Sequence, residues 1–151
     1  MSQFGKTKLV KKMHFDKSAQ EKLLTGIDKI AEAVGWTLGA SGRNVIIEND
    51  YGDPHVTKDG VTVANNILLQ DPVENIAVSM MKQAAQKTAS IAGDGTTTSI
   101  VLTKAIIDSF YKLKGQDFSF RDIKSGINKF AKDVIKYITD KAIPVDSKML
   151  L

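Results

Sequence analysis

Residues Gly93-Asp94-Gly95-Thr96-Thr97-Thr98 set two glycines, an acid and three hydroxyls ahead of an apolar run that begins at Ile100. That order suits a phosphate group. Glycine permits backbone conformations and close approaches that a Cβ would block. The unpaired N–H groups of a helix start point outward, and the macrodipole favours negative charge there. An acid in such a turn would repel phosphate unless a hard cation lay between them. Mg²⁺ takes one or two carboxylates together with phosphate oxygens and water. The plainer reading of the same residues is a glycine turn with Thr96 or Thr97 as the helix N-cap, and the stretch by itself does not separate the two.

Two other stretches are of the same kind. Thr37-Leu38-Gly39-Ala40-Ser41-Gly42-Arg43-Asn44 carries two glycines three apart in a loop after a helix, where backbone N–H groups can face a ligand. Thr57-Lys58-Asp59-Gly60-Val61 places a cation beside an acid before a helix start. Lys58 could neutralise phosphate charge and Asp59 could orient an attacking water; a turn with a solvated ion pair would look the same. Neither GxxxxGK[ST] nor a GxGxxG after a strand is present, so the common nucleotide signatures are excluded. Taken together, the three turns point to a phosphorylated ligand bound with Mg²⁺.

The elements that must position these groups read as mainly helical. Ser18-x-x-Glu21 has the form of a capping box. After it, Leu23, Leu24, Ile27, Ile30, Ala31 and Val34 share one helical face, and Gly35 ends the helix. Met13 to Phe15, just before, reads as extended. Val45-Ile46-Ile47 and Pro54 to Thr57 read as short strands around an Asn49-Asp50-Tyr51-Gly52 turn, and a short helix follows from about Val61 to Ile67. Three long helices finish the chain. The first opens at Asp71-Pro72 and has Val73, Ile76, Ala77, Met80, Ala84 and Thr88 on its apolar face. The second runs from the Gly95-Thr96 turn to about Leu113, before Gly115. Ile100, Val101, Leu102, Ala105, Ile106, Ile107 and Phe110 cover most of its circumference, which predicts a helix at the centre of a core and further protein packed on it. The third runs from near Ser119 to about Asp140, with Ile123, Ile127, Phe130, Val134 and Ile138 on one face and Pro144 beyond it.

Composition narrows the function classes. The 151 residues are 42% hydrophobic and 25% charged, an ordinary globular balance for one domain with a real core. No apolar run approaches membrane-spanning length, and the first residues have no signal-peptide core. There is no cysteine, which removes disulfides and thiolate metal sites and fits a reducing, cytoplasmic setting. The net charge of +4 is mild. Lys6, Lys8, Lys11 and Lys12 sit together in a basic tail over residues 1–12, and Lys124, Lys129, Lys132 and Lys136 recur along the last helix, interleaved with Asp122 and Asp133; the absence of a denser single-sign stripe argues against nucleic acid as a partner. His14 and His55 match no metal spacing. Met80 and Met81 read as helix packing, and Trp36 as a packing anchor.

The three turns, in order and spacing, resemble the N-terminal nucleotide motifs of the chaperonins, and their surroundings are similar to group I, the bacterial and organellar (GroEL-like) type. The resemblance covers nearly the whole chain after the tail. It implies that residues 13–143 form the N-terminal segment of an equatorial ATP-binding domain, a helical bundle with a small β-hairpin. Residues 144–151 would begin the connection to an intermediate domain. By this resemblance Thr37, Leu38, Gly39 and Ala40 line ATP or ADP, Lys58 lies near the phosphates, Asp59 acts in hydrolysis, Asp94 holds Mg²⁺, and Gly95, Thr96, Thr97 and Thr98 wrap the phosphates. K⁺ is a further cofactor candidate. The family usually has Pro where this chain has Ala40, and often Lys where it has Ser41; loss of the Pro frees the loop backbone.

The implied activity is that of an ATP-driven folding chaperone: a homo-oligomeric ring acting on unfolded clients through other domains, with a co-chaperonin as a candidate partner. By the same resemblance the extended N-terminal segment, Met13 to Phe15, would pair with a neighbouring subunit. Chaperonin subunits are several times longer than this chain. The competing reading is therefore a truncated module that packs against chaperonin subunits without hydrolysing ATP.

Overall fold

The computed structural model describes residues 13–48, 52–113 and 118–143. The expectations placed on residues 1–12, 49–51, 115 and 144–151 lie outside the described residues. The elements run α1 (Asp16–Gly35), β1 (Val45–Ile47), β2 (His55–Thr57), α2 (Gly60–Asn66), α3 (Pro72–Ala92), α4 (Thr96–Leu113) and α5 (Phe120–Lys141). This is the mainly helical fold with one small hairpin expected from the sequence. β1 and β2 pair antiparallel, with Val45 opposite Thr57, Ile46 opposite Val56 and Ile47 opposite His55. Among the described residues no helix is long and apolar enough to cross a membrane.

The chain divides into two compact units, one to Ile106 and one from Ile107. In the first, α1 packs along α3, and α2 fits beside both. Ile30, Val34, Val63, Val78 and Ile100 are fully buried, joined by Met81 and Ala85. Each such aliphatic side chain stabilises the fold by roughly 1.5–3 kcal/mol. Gly26 sets how closely α1 and α3 approach: a Cβ there would run into the Glu74 carbonyl oxygen and lie 3.0 Å from the Ala77 Cβ. Ion pairs edge the same seam, Lys22 with Asp71 and Lys29 Nζ with Glu74 Oε2 at 2.6 Å, while Lys104 Nζ reaches Asp28 Oδ1 at 3.0 Å from α4. Lys82 of α3 donates to the carbonyls of Asn65 and Ile67 at 2.9 and 2.7 Å. It thereby satisfies acceptors that the end of α2 leaves open. Partial burial pushes the Lys82 ammonium below its ordinary pKa.

Three local expectations are corrected. The Ser18–Glu21 capping box does not form. The helix begins three residues earlier than a Ser18 cap would set, at Asp16, whose φ of 49° is one that Asp tolerates. Ser18 therefore sits in the first turn and donates its hydroxyl to the Phe15 carbonyl at 3.1 Å. The buried face of α3 is rotated: Ala77, Val78, Met81 and Ala85 are inside, while Ile76 and Met80 are 55% and 63% exposed. The close approach at Gly26 selects Ala77 and its neighbours over the equally apolar stripe beside them. α4 buries only Thr96 and Ile100, its Leu102 and Ile106 being about half exposed, so the described residues leave much of its apolar circumference uncovered and do not contradict the expectation of further protein there. Trp36 is no core anchor, being 48% exposed.

The second unit holds the end of α4 and α5. Ser119 and Asp122 cap α5 reciprocally: the Asp122 N–H donates to Ser119 Oγ at 3.2 Å and the Ser119 N–H to Asp122 Oδ2 at 3.3 Å. The Phe110 and Phe120 rings meet edge to face at 5.7 Å. No residue of α5 is buried, and its apolar face, including Phe130 and Ile138, is exposed.

Candidate nucleotide site

Three turns carry the candidate residues, and each is built by local backbone chemistry. The first follows α1. Gly39 takes φ 76°, and the Thr37 hydroxyl donates to the Val34 carbonyl at 2.7 Å. Gly42 sits where a Cβ would collide with the Thr37 carbonyl and lie 3.0 Å from that of Gly39. Thr37 is half-buried; Leu38, Gly39 and Ala40 are exposed.

The second turn joins β2 to α2. The Asp59 carboxylate caps α2, accepting from Thr62 N–H at 3.0 Å, Val61 N–H at 3.4 Å and the Thr62 hydroxyl at 2.6 Å. These donors, the Thr62 hydroxyl foremost, hold the Asp59 carboxyl below its ordinary pKa against the opposing effect of partial burial. Asp59 is therefore charged at neutral pH. Lys58 is exposed and forms no ion pair among the described residues.

The third turn joins α3 to α4. Gly93, at φ 75°, caps α3 in the left-handed region, and Gly95, at φ 85°, swings the chain into α4. The Asp94 carboxylate accepts from the Gly95 N–H at 2.6 Å and is otherwise exposed. Among the described residues the N–H groups of Thr96, Thr97 and Thr98 find no hydrogen-bond acceptor. The Thr96 side chain is buried at 6% exposure, Thr97 is half-buried and Thr98 is exposed.

The turns meet at Gly60. A Cβ on Gly60 would overlap the Thr97 hydroxyl, stand 3.2 Å from the Thr97 Cβ and 2.9 Å from the Thr37 hydroxyl. One residue from each motif, separated by 60 positions of sequence at the extremes, thus shares one small space. Asp59 adjoins it directly. Leu38, Gly39, Ala40, Lys58, Asp94 and Thr98 are exposed, and no hydrogen bond or ion pair joins them to one another. Among the described residues no group of three or more His, Cys, Asp or Glu could hold a metal. A single carboxylate at a phosphate site is the donor set Mg²⁺ uses, with substrate and water completing its shell. The sequence named Gly60 as part of a helix-start turn, Trp36 as a packing anchor and Arg43 as a member of the glycine loop; that the turns meet at Gly60 and that Arg43 lies over Trp36 was not foreseen.

The fold of the chain is similar to that of solved structures. Two crystal forms of the chaperonin gp146 from the bacteriophage EL 2 (Pseudomonas aeruginosa), determined in the presence of ATP-BeFx, are each 33% identical to this chain. Form II superposes with a TM-score of 0.73 over 86% of this chain and 22% of that one. Form I superposes with a TM-score of 0.75 over 87% and 23%. The chain thus spans less than a quarter of the chaperonin chains it matches. Residues 30–151, which include all three turns, match the TCP-1/cpn60 chaperonin family, and the chain belongs to that family, with the fold of the N-terminal part of its equatorial domain.

Proposed function

We propose that this chain is the nucleotide-binding segment of an ATP-driven ring chaperonin of the cytoplasm. The observation that carries the reading is the convergence of Thr37, Gly60 and Thr97 around one space, beside a charged Asp59 and the start of α4. The Thr37–Ala40 loop lines the nucleotide. The free N–H groups of Thr96, Thr97 and Thr98, aided by Gly95, receive phosphate oxygens at the positive end of α4. Lys58 offsets phosphate charge. Asp94 supplies the protein ligand for Mg²⁺, which when bound neutralises phosphate charge. Asp59 orients the attacking water, its low pKa keeping it an acceptor. Binding biases the ring between conformations, and hydrolysis times the return. Neighbouring copies, unfolded clients and a co-chaperonin are the partners of the whole protein.

The test is native mass spectrometry and calorimetry of the full-length protein with Mg²⁺ and ATP. Nucleotide retained on a multi-subunit assembly, and lost with EDTA, is the expected result. A single chain that takes up no nucleotide would overturn the reading and leave the non-hydrolysing module in its place.

A further inference from the structure

The loop from Trp36 to Asn44 is thinly supported from behind. A cavity of about 460 Å³ lies against it, bounded by Glu32 of α1, Val101 and Lys104 of α4, and the loop's own Leu38 and Ser41. Leu38 is 44% exposed, and Gly39, Ala40 and Ser41 are exposed as well. Burial therefore contributes little to the loop's shape, and Ala40 leaves its φ unrestricted by a ring. What closes the loop is the pair at its two ends. The Arg43 N–H donates to the Trp36 carbonyl at 2.7 Å, and the Arg43 guanidinium lies over the indole, 4.8 Å from the ring centroid. Inside that ring of chain, the Gly42 N–H donates to the Gly39 carbonyl at 3.0 Å. Arg43 forms no ion pair among the described residues, so its charge is directed to the indole face.

We propose that Trp36 and Arg43 form a clasp that sets the shape of the Thr37–Ala40 loop for nucleotide, with Arg43 a positioning residue that acts through the loop. The inference rests on the nucleotide reading above. A flat guanidinium stacked on indole holds both ends of a short loop at once, where an ammonium supplies charge without the stack. The clasp performs the service that a proline at position 40 would perform by covalent restraint. It lowers the number of loop shapes that binding must discard.

Affinity for Mg-ADP, measured by calorimetry on the full-length protein, tests it through Arg43→Gln, Arg43→Lys, Trp36→Ala and the Arg43→Gln/Trp36→Ala double variant. Arg43→Gln and Trp36→Ala are expected to weaken binding roughly two- to fivefold each, the size of an exposed cation–π contact. Arg43→Lys should recover part of that loss. The double variant should bind no worse than the weaker single one, because both remove the same contact. In turnover assays KM rises and kcat holds. Increased acrylamide quenching of indole fluorescence in Arg43→Gln, absent from the comparison of Trp36→Ala with the double variant, reports the opened clasp directly. Wild-type affinity in Arg43→Gln, or losses that add in the double variant, would overturn the clasp alone. A wild-type protein that binds no nucleotide would overturn the site reading, and the role of the clasp with it.

Discussion

The Thr97 hydroxyl occupies the space that any side chain on Gly60 would need, so the first turn of α4 and the first turn of α2 touch without an intervening Cβ. Thr37 closes the same space from a third direction. A contact so tight ties the site's geometry to a single hydrogen atom on Gly60.

Gly60→Ala should therefore destabilise the protein by about 1–3 kcal/mol, the usual cost of overpacking a filled space. It should also weaken nucleotide binding by pushing Thr97 and Thr37 apart. Urea unfolding and calorimetry check the two effects; an unchanged unfolding midpoint would show that the space is slack.

Asp59 has two duties that one substitution can separate. Asn caps helices about as well as Asp, so Asp59→Asn should leave stability within about 0.5 kcal/mol and leave Mg-ATP binding intact. Turnover should fall by roughly 100-fold or more, the scale of a lost general base. Single-turnover hydrolysis alongside thermal unfolding makes the comparison, and normal turnover would remove Asp59 from the chemistry.

Asp94 is exposed, and its carboxylate accepts from the next residue's amide. Asp94→Ala should leave the unfolding midpoint unchanged while abolishing the Mg²⁺-dependent part of nucleotide affinity. Titrations with and without EDTA should differ in the wild type and coincide in the variant.

The Asp71 carboxyl is held down to about 2 from 3.8, chiefly by its hydrogen bond from Lys22, with the Val73 and Glu74 amides also donating. A depressed native pKa adds stability above the unfolded value, and that stability is lost as pH falls through the folded value. Lys22→Gln should thus be less stable than wild type above about pH 4. The gap should close as pH drops towards about 2. Denaturant unfolding at a series of pH values reads this directly, and a gap independent of pH would show that Lys22 acts through packing.

Much of the fold was legible because its signals are local. Gly35, Asp71-Pro72, the Gly93–Gly95 turn and Ser119 mark helix ends through their own backbone geometry and hydrogen bonds, and the structure places the ends of α1, α3, α4 and α5 within a residue or two of them. The hairpin was legible for the same reason. The candidate site's residues were legible as three separate turns, since glycine, hydroxyl and acid fall there at short spacing.

What the amino-acid order determined by itself was where elements start and stop and which turns could carry phosphate chemistry, because those depend on neighbours a few residues apart. Only the tertiary structure decided which stripe of α3 is buried, since Met80 and Met81 are equally apolar and the choice falls to Gly26 on another helix. It alone brought Thr37, Gly60 and Thr97 to one space and laid Arg43 over Trp36. Those contacts depend on how the chain closes through space, and no local propensity encodes such a distance.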